Sequence, residues 1–135
     1  MGEREDKRKL LRDAMDNKET YRVPMGFWHH FVLGKDQFRG LEDPAIIERI
    51  IEGHKRYFEE VEPDMMKFMS EGFMGYPPVM DNALRTGEDL LRIRSIGPEH
   101  PWITEQLKYV KRLQELFGDK VMTFYNIFAP LQVIR

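Results

Sequence analysis

The sequence predicts an α/β fold in which an amino-terminal helix is followed by about three parallel β/α units. Two observations carry this expectation. Short apolar runs alternate along the chain with longer amphipathic runs of helical period. The last apolar run, Phe124-Tyr125-Asn126-Ile127-Phe128, is nearly continuous, as in a parallel strand buried on both faces.

The first element is an amphipathic helix from Arg4 to Lys18, with Leu10, Leu11, Ala14 and Met15 at helical spacing among charges. Pro24 breaks that pattern, and Val23 to Phe31 reads as the first strand, ending on the adjacent histidines His29 and His30. Gly34 and Gly40 bound a loop containing Lys35, Asp36, Gln37, Phe38 and Arg39. The clearest helix follows. Asp43 suits its N-cap and Pro44 its first position, and Ile46, Ile47, Ile50, Ile51, Tyr57, Phe58 and Val61 recur with a period near 3.6. Gly53 within it costs about 1 kcal/mol relative to alanine and marks close packing on a neighbour. Pro63 ends the helix.

Asp64 to Met69 is the second strand, with Ser70 and Glu71 at its end. Glycines and prolines from Gly72 to Pro78 form a loop, and Asp81 to Ile93 holds one or two short helices with Thr86 as a cap. Trp102 to Phe117 is a second strong helix, with Ile103, Leu107, Val110, Leu113 and Phe117 as its stripe and Gly118 as its stop. Val121 to Phe128 is the third strand, before Ala129-Pro130. Three strands leave two open sheet edges, so the 135 residues read as the amino-terminal portion of one larger barrel or open sheet.

Composition narrows the function classes. Hydrophobic residues make up 41% and charged residues 33%, with a formal net charge of −2. No basic footprint for nucleic acid is present, and no apolar run approaches the ~18 residues of a membrane span. The chain has no cysteine, which removes disulfides and thiolate metal sites. The charged amino terminus is unlike a secretory leader, and a cytoplasmic location is the expectation.

Functional groups in parallel α/β folds gather at the carboxyl ends of strands. Here those ends carry His29-His30, Ser70-Glu71 and Asn126 to Ala129. Adjacent strand residues point to opposite faces, so at most one of the two histidines enters a given pocket, and their spacing is wrong for a two-histidine metal site. Period-two counting puts Lys67 and Glu71 on one face, where they either pair or part. His54 and His100 read as an ordinary helix residue and a loop residue. Met65, Met66, Met69, Met74 and Met80 read as core filling or as an adaptable apolar pocket.

Three stretches, in order, resemble the uroporphyrinogen decarboxylase superfamily, which includes corrinoid-dependent methyltransferases. Arg22-Val23-Pro24 and its apolar continuation resemble the first barrel strand. Asp64 through Ser70-Glu71 resembles the second, and Gly118-Asp119 through Phe128-Ala129-Pro130 resembles the third with its turn. The resemblance covers most of the chain and about the first third of the family's (β/α)8 TIM barrel. It implies decarboxylation of uroporphyrinogen to coproporphyrinogen without a cofactor, often by a homodimer. It places Glu71 on the catalytic aspartate that holds the pyrrole N–H groups. It sets His29 and His30 where the decarboxylases carry an Arg-Gln pair that grips substrate carboxylates, with Lys35 and Arg39 as counterparts of a second arginine. Histidine cannot reproduce the bidentate arginine fork. The methyltransferase branch, with zinc and a corrinoid, is the alternative activity, and a non-catalytic α/β binding or scaffold module is the third. The isolated 135 residues are expected to be inactive, because most of a barrel mouth would be absent.

Overall fold

The structure is a computed structural model that describes residues 6–82 and 84–126. Its elements run α1 (Lys7–Met15), α2 (Pro44–Val61), β1 (Met65–Phe68), α3 (Pro77–Met80), α4 (Pro101–Phe117) and β2 (Met122–Tyr125), with 3-10 turns at Gly34–Phe38 and Gly87–Arg92. The mixed α/β class holds. β1 and β2 pair in parallel, with Met65 opposite Met122 and Phe68 opposite Tyr125. The end of the expected third strand, residues 127 and 128, and the turn at 129 and 130 lie outside the described residues.

Local sequence explains the helix ends. Asp43 caps α2 by accepting the Ala45 N–H at 3.0 Å, and Pro44 occupies the first helical position, where its missing N–H costs nothing. The last turn of α2 ends at Glu62 in a left-handed conformation (φ 49°), and the Lys7 ammonium donates to the Glu62 carbonyl at 2.6 Å, tying α1 to that end. Thr86 stands at the cap of the 87–92 turn, as the sequence indicates, and its N–H donates to the Asp89 carboxylate at 2.8 Å. α4 starts on His100, whose Nδ1 accepts the Trp102 N–H at 3.0 Å, so the residue read as a loop histidine is an N-cap.

The core lies between the two long helices and one face of the sheet. Ile46, Ile50 and Ile51 of α2 and Tyr109, Leu113 and Phe117 of α4 enclose Met66 and Phe68 of β1. Each fully buried aliphatic side chain contributes about 1.5–3 kcal/mol relative to exposure. The inward face of α4 differs from the predicted stripe, since Leu107 is exposed and Tyr109 takes a core position. The Tyr109 hydroxyl donates to the Met69 carbonyl at 2.7 Å, a bond that requires this face to turn inward.

Among the described residues the two sheet faces are covered unequally. Met65 and Lys67 alternate with the buried Met66 and Phe68, and Phe124 remains 39% exposed. Among the described residues β2 is half-buried rather than fully enclosed on both faces as its apolar run suggests. Trp28 packs edge-on to Phe124 on the less covered side, and the Lys67 ammonium lies over the Trp28 ring at 5.2 Å. Lys67 meets an aromatic ring rather than Glu71.

The principal correction concerns Val23 to Phe31. Among the described residues the sheet has two strands, and this segment is not one of them, so about three complete β/α units are not present. The physical reason is visible in its hydrogen bonds. Side chains take up its peptide groups. The Met25 N–H donates to the Asp64 carboxylate at 2.7 Å, the Phe27 N–H to the Tyr57 hydroxyl at 2.9 Å, and the Phe31 N–H to Glu71 at 2.9 Å. One main-chain bond, from the Asp64 N–H to the Met25 carbonyl at 2.8 Å, joins it directly to the residue before β1. The segment thus follows β1 without a ladder.

Candidate functional site

Two carboxylates flank β1 and fix the 22–32 segment. At the amino end, Asp64 forms a two-pronged ion pair with Arg22, at 2.5 and 2.6 Å. That guanidinium, with the Met25 N–H, holds the Asp64 carboxyl below the usual aspartate value against the opposing effect of burial. At the carboxyl end, Glu71 is wholly buried. Its oxygens accept the Phe31 N–H at 2.9 and 3.0 Å and the Val32 N–H at 3.1 Å, and one lies 2.6 Å from His30 Nδ1.

The loop bearing Glu71 is held from both helices. His54 is fully buried in α2. Its Nδ1 donates to the Ile50 carbonyl at 2.8 Å, and its Nε2 accepts the Met69 N–H at 3.1 Å. With Tyr109 on the Met69 carbonyl, both peptide groups of the residue following β1 are bound by side chains. Burial pushes the His54 pKa down to about 4, which keeps the ring neutral. Burial also raises the Tyr109 hydroxyl well above the usual tyrosine value, so it remains a donor.

The sequence-predicted residues separate in space. His30 and Glu71 come together at the carboxyl end of β1. His29 packs its ring against Phe31 at 4.8 Å and Tyr57 at 5.7 Å. The expectation that at most one of the adjacent histidines enters a given pocket is not met: without a regular strand to send them to opposite faces, both border the same cavity. Lys35 lies in the exposed 34–38 turn. Arg39 follows that turn and donates to Glu42 at 2.7 Å. Neither has a bond to His30 or Glu71. Glu71, expected to face a ligand, stands behind His30, because three protein N–H groups already occupy its oxygens. A cavity of about 410 Å³ adjoins this cluster, lined by His29, His30, Phe31, Gly53, Arg56 and Tyr57 among others. Gly53 lets the Phe31 ring approach α2, since a β-carbon there would come within 2.4 Å of it.

His54 and Tyr109 are the contributors that sequence reasoning passed over. A signal existed for His54, which falls at the i+4 position after Ile50 and three before Tyr57, inside the apolar stripe. Arg22 and Asp64 lie 42 residues apart, and nothing periodic announces their pairing.

Among the described residues no group of three or more His, Cys, Asp or Glu is arranged to hold a metal ion. No described helix is long and apolar enough to cross a membrane. The fold and cluster define an α/β protein with a two-stranded parallel sheet and a carboxylate–imidazole pair at the carboxyl end of a strand. No family model, curated protein or solved structure matches the chain.

Proposed function

We propose that the chain is the amino-terminal portion of a (β/α)8 barrel enzyme of the uroporphyrinogen decarboxylase type, acting on a tetrapyrrole by removing acetate carboxyl groups. The observation that carries this reading is the His30–Glu71 pair. It unites the segments that resemble the family's first two strands, at the strand end where such barrels bind ligands. The parallel β1–β2 pair supports it, because successive strands of such barrels run parallel. In this reading the 22–32 segment occupies the place of the first strand. His30, Lys35 and Arg39 face the substrate side chains, and His29 shapes the wall behind them. Glu71 supplies the fixed negative charge that the protonated pyrrole requires, acting through His30 rather than by direct contact.

The test is coproporphyrinogen formation from uroporphyrinogen by the complete protein. Accumulation of the tetracarboxylate product supports the reading. A complete protein that leaves uroporphyrinogen intact overturns it, and bound zinc with methyl transfer from a methylcorrinoid would assign it to the methyltransferase branch instead.

A further inference from the structure

The groove between α2 and residues 29–31 holds an imidazole set up as a nucleophile. His30 Nδ1 lies 2.6 Å from a buried Glu71 oxygen, so Nδ1 bears the hydrogen and Nε2 carries the lone pair. No described group bonds Nε2, and the side chain is 45% exposed and lines the 410 Å³ cavity. The carboxylate cannot swing away, because the Phe31 and Val32 N–H groups hold it from the main chain. The α2 wall of the same cavity carries two guanidiniums, Arg49 and Arg56, about two helical turns apart on one face of the helix. Their partners are surface carboxylates, Asp36 at 2.6 Å from Arg49 and Glu60 at 3.2 Å from Arg56. Exposed pairs of this kind are weak, whereas a guanidinium grips a phosphate with two N–H groups at once, so a phosphate competes well for both arginines. The other acid of this wall, Glu52, is paired with Lys55.

We propose that His30 Nε2 accepts a phosphoryl group, with Arg49 and Arg56 drawing the donor into the groove and Glu71 holding the ring. The substrate class is a small acyl phosphate or other phosphoanhydride, whose leaving group departs as a stable anion. The inference does not rest on the decarboxylase reading. The Nε2 lone pair attacks phosphorus and an N–P bond forms. The bond from phosphorus to the bridging oxygen breaks, and its electron pair leaves with the departing carboxylate or phosphate. The Nδ1 hydrogen stays between the ring and Glu71, whose negative charge offsets the positive charge of the phosphorylated ring. No proton, oxidant or reductant enters the step. The surroundings of Nε2 favour this use of a carboxylate-backed imidazole over two others. A metal needs further ligands, and the described residues do not group them here. An uncharged electrophile has no use for two guanidiniums across the groove, whereas a phosphoryl dianion is what they recognise.

The experiment treats the complete protein with acetyl phosphate and reads phosphohistidine by phosphorus NMR and by peptide mapping. His29 is the internal control, since it is exposed and borders the same cavity, and no described carboxylate bonds it. Label is expected at His30 Nε2, about tenfold or more faster than at His29. His30→Asn keeps an N–H donor for Glu71 but no nucleophilic nitrogen; it should fold, by circular dichroism and thermal melting, and lose the label. Replacing both Arg49→Gln and Arg56→Gln should slow labelling by acetyl phosphate about tenfold. The same double variant should leave the reaction of His30 with uncharged diethyl pyrocarbonate unchanged, which separates the grip on the anion from the nucleophilicity of the ring. Glu71→Gln should slow both reagents, and if that variant does not fold, the ratio of His30 to His29 in the wild type decides. No label on His30, or equal rates at His29 and His30, overturns the proposal. An acetyl phosphate rate unchanged in the arginine double variant overturns the assigned substrate class. Turnover of uroporphyrinogen is a separate readout and decides only the decarboxylase reading.

Discussion

His54 Nε2 accepts the Met69 N–H at 3.1 Å, while its Nδ1 donates to the Ile50 carbonyl. One neutral imidazole therefore joins α2 to the residue after β1, and protonation would abolish its role as an acceptor. With a native pKa near 4 against 6.5 for an ordinary histidine, the unfolded chain binds the extra proton first as pH falls. The stability tied to this group is complete above pH 6.5 and is lost on descending towards pH 4, a loss of about 3 kcal/mol. Urea denaturation at intervals from pH 8 to pH 4 checks this. His54→Gln should flatten that limb, and an unchanged pH slope in the variant would refute the assignment.

Tyr109→Phe should destabilise the protein by about 1–3 kcal/mol, because it strands the buried Met69 carbonyl without a donor. The ring itself remains, so the core keeps its volume. Equilibrium unfolding measures the loss, and a change within a few tenths of a kcal/mol would show that the carbonyl finds another donor.

Asp64→Asn should cost about 2–3 kcal/mol, since it removes the charge opposing Arg22 and weakens the bond to the Met25 N–H. The aspartate's native pKa lies below 3.8, so its contribution is present above that value and is lost as pH falls through the lowered native pKa. The wild type should therefore converge on the variant in acid. Chemical denaturation of both proteins at neutral pH and in acid provides the measurement.

Gly53→Ala should be destabilising despite alanine's helix preference of about 1 kcal/mol. The new methyl would meet Phe31 Cδ1 at 2.4 Å and Cγ at 2.5 Å, atoms of a ring rather than a flexible tip. Overpacking of this kind costs about 1–3 kcal/mol. Thermal melting should show a lower Tm, and a gain in Tm would mean that Phe31 moves freely.

The long helices were legible in the sequence because their signals are local. Asp43-Pro44 marked the start of α2, the isoleucines marked its buried face, and Gly53 announced the close approach that Phe31 makes. The second strand was legible from its position between Pro63 and Gly72. The strand expected at Val23 to Phe31 does not form; an apolar run says nothing of what accepts its hydrogen bonds. Those acceptors, Tyr57, Asp64 and Glu71, lie 30 to 40 residues away. The face of α4 was misjudged for a related reason: Tyr109 looks amphipathic in sequence, and its partners inside, the Met69 carbonyl and the Phe73 ring, come from distant segments. At the site, Glu71 and His30 were both picked out by position, but their 2.6 Å contact joins residues 41 apart and no local pattern announces it.

The 22–32 segment is fastened at discrete points by Asp64, Tyr57 and Glu71 rather than laced along its length. In a ladder, each residue contributes a similar small share and neighbours compensate for a loss. With separate fasteners the hold is concentrated: residues between them tolerate exchange, while changing one fastener frees a whole stretch. Amide exchange should then read as isolated slow sites at Met25, Phe27, Phe31 and Val32 instead of a continuous protected run.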